Sequence, residues 1–242
     1  MSDPFVTAAS LEGVASALAG SRNGIDAVLR DRGLRRSTPE HTARSLLLGA
    51  AASATLEGDP VEPDDMALGG GGPTAQAALR LSSELLGLVP TWEHSPLQAI
   101  ARLHALAAAG SVPDVDLGRP SNADGTSRLA ELAKLLTRTT EAPALAVAAV
   151  VHAEILTAEA FGSHNGVVAR AAERLVLVSR GVDPVSVTVP EAGHAALLEA
   201  YVRAASAYAT GSTAGLQTWM FHAAEAFTRG AEASPLVSSP GR

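Results

Sequence analysis

Apolar residues recur at three- and four-residue spacing along almost all of this 242-residue chain. That spacing places them on one face of an α-helix, so it predicts a succession of amphipathic helices. Alanine and leucine dominate, and runs of β-branched residues are few. One segment, VSVTV at residues 185–189, has the composition of a short strand. We therefore expect an all-α fold.

The ends of the predicted helices carry recognisable signals. Thr38 followed by Pro39 is typical of a helix start, and Gly58 followed by Pro60 is typical of a helix end. Residues 62–73, EPDDMALGGGGP, lack the Gly-Lys-Ser/Thr of a phosphate loop, and we interpret them as a flexible linker. The pattern predicts helices over residues 8–31, 39–57, 74–88, 96–109, 126–139, 143–158, 166–180, 190–209 and 213–231.

The composition excludes several classes of protein. With no cysteine there is no disulfide, thiolate metal site or cysteine nucleophile. A net charge of −7 and 3% aromatic residues argue against nucleic-acid binding, and we interpret the basic cluster RDRGLRR at residues 30–36 as a solvated helix end and turn. The longest apolar run, residues 142–151, is about half of the ~20 residues that a membrane span needs. Without a signal peptide at the N-terminus, we expect a cytoplasmic protein with no membrane partner.

The common catalytic and metal-binding signatures are missing. The sequence contains no HExxH, GxSxG or Walker motif. His152 and Glu154 are two residues apart, so they point to different sides of a helix and cannot share a ligand. We interpret His152 and His164 as packed or capping histidines and predict no metal site.

The segment AEAFGSHNGVVAR, residues 158–170, is the exception. A helix is predicted to end near Ala158, and a new one to begin near Gly166 after a tight turn. The amide N–H groups at the start of a helix, together with its dipole, bind anions and especially phosphates. Arg170, one turn along, would add a charged group. The alternative interpretation is an ordinary helix–turn–helix without a ligand.

These residues resemble the core of the Fic (Fido) domain family. In that family a helix with an early histidine leads into the loop His-Pro-Phe-x-Asp/Glu-Gly-Asn-Gly-Arg-x-x-Arg. Without a gap, Phe161 matches the motif phenylalanine, Asn165 and Gly166 match the Asn-Gly pair, and Arg170 matches the last arginine. His152 matches the helical histidine. The resemblance implies a Fic-like helical bundle and anion-binding residues Gly162, Ser163, His164, Asn165, Gly166 and Arg170.

A second match lies upstream. SATLEG, residues 53–58, resembles the inhibitory helix motif Ser/Thr-x-x-x-Glu-Gly/Asn of the family. The resemblance implies inhibitory roles for Ser53, Glu57 and Gly58, with Glu57 reaching Arg170 and blocking the γ-phosphate of a nucleotide. It covers roughly residues 40–230. We accordingly expect an N-terminal helical extension at 1–37, a Fic-like domain at 38–232 that includes the inhibitory-type helix 39–58, and a flexible tail at 233–242.

The sequence departs from the family motif at the positions of the catalytic residues. Active members transfer AMP from a nucleotide to a hydroxyl side chain. Their catalytic histidine corresponds here to Glu159, their Mg²⁺-holding acid to Ser163 and their first arginine to Val167; Ala160 replaces the proline and His164 the first glycine. Only PSNADG follows Arg119, too short for the β-hairpin flap that holds a target peptide in the family.

We therefore expect a catalytically inactive relative with a binding or regulatory role, in which Glu57 and Arg170 form a structural ion pair. The alternative is an active enzyme that transfers AMP to, or removes it from, protein hydroxyls with Glu159 as the catalytic group. ATP and Mg²⁺ are implied as cofactors only in that second case. A protein partner and a homo-oligomer both remain open.

Overall fold

A computed structural model describes residues 3–31 and 38–238, and this part of the chain is all-α as the sequence predicts. It contains no strand, only a single β-bridge between Ala109 and Val112. Two 3₁₀ turns cover residues 85–88 and 114–116. The helices are α1 (Pro4–Ala9), α2 (Val14–Asp31), α3 (Pro39–Leu56), α4 (Pro63–Ala67), α5 (Pro73–Glu84), α6 (Val89–His94), α7 (Pro96–Ala108), α8 (Ala123–Leu136), α9 (Ala144–Ala158), α10 (Asn165–Ser179), α11 (Pro190–Ala196), α12 (Leu198–Ala209), α13 (Thr213–Glu232) and α14 (Pro235–Ser238).

The centre of the fold is the helix pair α9 and α10. Helix α9, ALAVAAVVHAEILTA, is apolar on almost every face, which is typical of a helix surrounded by others. Helices α1, α8, α12 and α13 pack around it together with α10. Trp219 of α13 is fully buried and donates a hydrogen bond from Nε1 to the carbonyl oxygen of Ala149, at 2.7 Å. Burial of this helix pair fixes the position of the turn that joins α9 to α10.

The N-terminal helices share this core. Phe5 of α1 and Ile25 of α2 are buried in the same apolar cluster as α9, and α2 packs along α13. Ser21 ties the two helices with a hydrogen bond to the carbonyl oxygen of Ala224, at 2.7 Å. The predicted helix 8–31 is wrong at its start. The helix is interrupted at residues 10–13, where Gly13 has a positive φ of 77°.

Several other sequence predictions need correction. The predicted helix 190–209 is two helices that meet at Leu197, and 74–88 is α5 followed by a 3₁₀ turn. Residues 185–189 are not a strand. Instead, the Asp183 carboxylate accepts hydrogen bonds from the amides of Val187 and Thr188, at 3.1 and 2.7 Å, so the segment curls around that side chain. Helices α4, α6 and α14 were not predicted, and each is short.

The glycine-rich segment 62–73 is not a free linker. Its first half forms α4, and Met66 is fully buried. The carboxylate of Asp59 accepts hydrogen bonds from the amides of Gly72 and Ala75, at 3.0 and 2.8 Å. Gly71 has a φ of 88°, and a Cβ there would lie 2.5 Å from the Cβ of Ala75. The glycines therefore allow a close turn onto α5.

The predicted flexible tail is wrong for residues 233–238. Ser234 and Leu236 are buried, and α14 contacts α3. Residues 239–242, most of the basic cluster at 30–36 and the predicted boundary at 37/38 lie outside the described residues. Within the described ranges, no helix has the length and apolar character required to cross a membrane.

Candidate functional site

The turn between α9 and α10 is held rigidly by one side chain. The Asn165 amide accepts a hydrogen bond from the Phe161 N–H at 3.0 Å and donates one to the Phe161 carbonyl oxygen at 2.8 Å. These two bonds close residues 161–165 into a compact turn. The sequence resemblance assigns Asn165 to anion binding, and in this structure its side-chain amide is used on the backbone of the turn.

Residues from the segment before α8 hold the other end of the turn. The Ala160 carbonyl oxygen accepts hydrogen bonds from the N–H and the hydroxyl of Ser121, at 2.7 and 3.2 Å. The Asn122 side chain donates to the Glu159 carbonyl oxygen at 3.0 Å. Gly125 allows the approach of α8, because a Cβ there would lie 2.5 Å from the Cα of Ala160.

The first turn of α10 has no side-chain cap. Its N-cap residue, His164, has a positive φ of 61° and gives the helix no side-chain hydrogen bond. Its Nδ1 lies instead 2.7 Å from the Ser163 hydroxyl. Because a helix start leaves unpaired amide N–H groups with a positive dipole end, this position favours negative charge.

A carboxylate of the protein itself lies at this helix start. Glu57 is the C-cap of α3, and Gly58 follows with a φ of 82°. The amides of Gly58 and Asp59 donate to the carbonyl oxygens of Thr55 and Ala54, the pattern of a Schellman helix end. A Cβ at Gly166 would lie 2.2 Å from Oε1 of Glu57, so the carboxylate lies directly against the glycine backbone of α10.

Arg170 completes the contact between α3 and α10. Its Nη2 lies 2.6 Å from Oε1 of Glu57, and its guanidinium is 1% exposed whereas the Glu57 side chain is 30% exposed. Its Nε donates to the Ser53 hydroxyl at 2.8 Å, its Nη2 to the Ser53 carbonyl oxygen at 3.2 Å, and its Nη1 to the Tyr201 hydroxyl at 3.2 Å. The predicted ion pair is therefore present, and Ser53 is part of it.

The residues at the family's catalytic positions lie in three different environments. Glu159 is exposed, at the left-handed C-cap of α9 with a φ of 44°. Val167 is 2% exposed and packs in the core. Ser163 has a hydroxyl in place of the metal-binding carboxylate and contacts His164. Among the six predicted anion-binding residues, the structure places five in the turn and Arg170 beneath it.

A cleft of about 600 Å³ opens beside the turn. Gly162, Ser163 and His164 form one wall, while Glu159 is not one of its lining residues. A second, more apolar groove of about 750 Å³ lies between α7 and α8 and is lined by residues that include Ile100, Leu129 and Phe161.

His104 of α7 forms the floor of the cleft. Its ring stacks on Phe161 with centroids 4.1 Å apart, and its Nδ1 accepts a hydrogen bond from the Gly118 N–H at 3.0 Å. Burial and the neighbouring His164 lower the pKa of His104 to about 4. Burial also lowers the pKa of His164, and Glu57 opposes that shift. Both imidazoles are therefore neutral at pH 7, and they do not give the cleft a positive charge.

Sequence reasoning missed a second buried ion pair. Arg174 is 2% exposed and meets Glu191 of α11 through two hydrogen bonds, from Nε at 2.9 Å and from Nη2 at 2.5 Å. Its Nη1 donates to Ser45, Ser186 and the Thr188 carbonyl oxygen. The available signal was the presence of three charged residues in the otherwise apolar helix α10, since charged side chains are buried only when they are paired.

Comparisons with known proteins give the fold. No protein-family model matches the sequence, and no curated protein matches it. Among solved structures, a Fic family protein from Desulfovibrio desulfuricans G20 superposes with a TM-score of 0.77 at 16% identity, covering 92% of this chain and 74% of that one. Fic-1 from C. elegans gives a TM-score of 0.70 at 13% identity, covering 95% and 72%.

A second C. elegans Fic-1 structure, with one glutamate-to-glycine substitution, gives a TM-score of 0.62 at 13% identity and covers 93% and 72%. All three likenesses extend over nearly the whole chain. At these identities they establish architecture and leave activity open. This chain has the Fic fold.

Proposed function

We propose that this protein is a Fic-fold relative that has lost AMP transfer and acts by binding or regulation. One observation carries the proposal: the Glu57 carboxylate occupies the helix start of α10, against Gly166, and is tied to Arg170 at 2.6 Å. The Fic resemblance implies that the phosphates of a nucleotide would bind at that helix start. The protein's own carboxylate therefore lies beside the helix start and repels a phosphate that approaches Gly166 and Arg170.

The environment of Arg170 supports the same proposal. Its guanidinium already donates to Ser53, Glu57 and Tyr201, and it is almost fully buried. A phosphate could use this arginine only after the α3 contact had opened. Such an opening would leave a buried cation without its carboxylate, which is costly.

The missing chemical groups support it further. Loss of a general base typically costs a factor of about 10²–10⁴ in rate, and loss of a phosphate-binding arginine costs about 10³ or more. Glu159 is exposed to water and does not line the cleft beside the turn. Ser163 offers no carboxylate to anchor Mg²⁺.

A thermal-shift titration of the full chain with ATP, ADP and AMP, with and without Mg²⁺, tests this proposal. A nucleotide at about 100 times its Kd would raise the free energy of unfolding by about 2.7 kcal/mol. We expect no shift for the wild-type protein. Glu57→Ala serves as the matched variant, because it removes the competing carboxylate and leaves the turn intact.

A wild-type shift with ATP and Mg²⁺ would contradict the proposal. Transfer of labelled AMP to a protein, lost in Glu159→Ala, would instead support the active-enzyme alternative. A shift that appears only in Glu57→Ala would mean that the helix start of α10 can still bind a nucleotide once the Glu57 carboxylate is removed. The loss of catalysis would then be tested by the AMP-transfer assay.

A further inference from the structure

Three side chains from three different helices meet in the interior of the bundle. His152 of α9, Glu173 of α10 and His194 of α11 are each fully buried. One nitrogen or carboxylate oxygen from each lies within 4.8 Å of the corresponding atoms of the other two. Two imidazoles and a carboxylate are a donor set that proteins use for transition metals such as zinc.

Hydrogen bonding inside this cluster is incomplete. Nε2 of His194 lies 3.0 Å from Oε2 of Glu173, and Nδ1 of His152 lies 3.1 Å from Oε1. The second contact is too oblique for a hydrogen bond, so Nδ1 of His152 and Oε1 of Glu173 have no hydrogen-bond partner among the described residues. Buried polar atoms without a partner are rare in folded proteins, and these two face each other.

The outer nitrogen of each imidazole is held by a second residue. Nε2 of His152 lies 2.9 Å from the Tyr201 hydroxyl, and Nδ1 of His194 lies 3.0 Å from Nε2 of His222. Metal-binding histidines usually direct their second ring nitrogen to such a partner, which fixes the ring and its tautomer. Without a metal, Nε2 of His194 carries the proton of its hydrogen bond to Glu173. When a cation binds, that proton moves to Nδ1, which faces Nε2 of His222, and both inner nitrogens present lone pairs to the ion.

The charges around Glu173 favour a cation as well. The two arginines on the same helix are already paired, Arg170 with Glu57 and Arg174 with Glu191. Glu173 therefore remains a fully buried carboxylate whose side-chain contacts are two imidazoles. Buried charges in proteins are either paired or bound to a metal.

We propose that Nδ1 of His152, Nε2 of His194 and both carboxylate oxygens of Glu173 bind one Zn²⁺-type ion. These three residues supply four donor atoms, the usual number for zinc. Mg²⁺ and Ca²⁺ are poor candidates because they take six or more ligands, mostly oxygens. Since the cluster is closed to solvent, the ion would join α9, α10 and α11 and would have no role in turnover.

The test uses the full chain, stripped of metal with a chelator, dialysed, and titrated with Co²⁺ and then Zn²⁺. We expect the visible absorption of four-coordinate Co²⁺ to saturate at one ion per chain and to disappear when Zn²⁺ is added. Unfolding on chelation that Zn²⁺ reverses would also support the site. A folded wild-type protein that shows no such absorption and retains no metal on elemental analysis would overturn it.

Two substitutions and one control test whether the ion binds at this cluster. Glu173→Gln keeps the volume but removes the charge and one strong donor, and His222→Asn removes an outer partner at the rim of the cluster. We expect His222→Asn to weaken Co²⁺ binding about 10–100-fold, Glu173→Gln to weaken it more, and the exposed control His94→Asn to leave it unchanged. Wild-type affinity in a folded Glu173→Gln protein would overturn the assignment; if that variant does not fold, the His222→Asn result decides.

Discussion

Removal of the Glu57 carboxylate should destabilise the folded protein by about 2 kcal/mol. Breaking a buried ion pair on one side typically costs about 3–5 kcal/mol. Two features of the structure reduce that value. The Glu57 side chain is 30% exposed, so water can partly replace it, and Arg170 keeps its bonds to Ser53 and Tyr201. The remaining loss is that of one hydrogen bond between charged groups, about 1.5–3 kcal/mol.

Glu57→Ala is the appropriate substitution because the C-cap backbone, with φ −93° and ψ 6°, suits any residue. For a chain of this size, a loss of about 2 kcal/mol corresponds to a Tm lower by about 4–8 °C. Glu57→Gln keeps an oxygen acceptor for Arg170 and should lose about half as much. Urea unfolding followed by circular dichroism gives the free energies, and thermal unfolding gives the Tm values.

Glu93→Ala is the matched control, since Glu93 is exposed on α6 and forms no ion pair among the described residues. Its effect should stay within about 0.5 kcal/mol. If Glu57→Ala changes the free energy of unfolding no more than this control does, the ion pair does not hold α3 against α10. A stabilising effect of Glu57→Ala would contradict the account even more strongly.

Three further predictions follow from the same structure. His164→Gly should raise the free energy of unfolding by about 1 kcal/mol in urea unfolding, because His164 has a φ of 61° that strains a non-glycine residue; a loss of stability would contradict this. Glu191→Ala should lower it by about 3–5 kcal/mol, since it leaves Arg174 buried without its carboxylate, and a loss below about 1 kcal/mol would show that Arg174 finds another partner. The pKa of His104, about 4 in the folded protein, lies below its ordinary value of 6.5, so the unfolded chain takes up the proton first as the pH falls. Stability due to His104 is therefore complete above about pH 6.5 and is lost towards pH 4, by up to about 3 kcal/mol. His104→Asn, whose side-chain oxygen can still accept the Gly118 N–H, should show a correspondingly smaller loss between pH 7 and 4 in urea unfolding, and an unchanged loss would refute the assignment.

The sequence predicts the long helices well because each carries its own signal. The helical spacing of α9, α10 and α13 is local, and so are the stop signals at Gly58 and the start signal at Pro39. The contact between Glu57 and Arg170 was also predictable, although it joins distant segments, because the Fic resemblance supplied both of its ends. The all-α fold follows from the same local patterns.

The errors arise where a tertiary contact overrides a local preference. Residues 185–189 are mostly β-branched, yet the amides of Val187 and Thr188 bond to the Asp183 carboxylate rather than to a neighbouring strand. Strand preference depends on having such a neighbour, and in the described residues none is present. The four glycines of 69–72 suggested flexibility, but there the absence of Cβ atoms permits a close turn onto α5.

The partners of the buried charged residues of α10 could not be predicted from the sequence. Arg174 and Glu191 are neighbours because α11 returns across α10, and His194 reaches Glu173 for the same reason. Periodicity predicts that these residues are helical and does not tell which distant side chain each will meet. Charged residues on a helix that is otherwise apolar indicate only that partners must exist.

The most direct measurement of the central claim is transfer of AMP from labelled ATP by the Glu57→Gly protein. This substitution removes the carboxylate that lies against Gly166 and breaks its ion pair with Arg170, so any remaining catalytic ability should become visible. We predict no labelling of the protein itself or of added proteins, because Glu159, Ser163 and Val167 stand where the base, the metal anchor and the first arginine would be needed. Labelling that depends on Mg²⁺ and exceeds that of the wild-type protein would contradict the account.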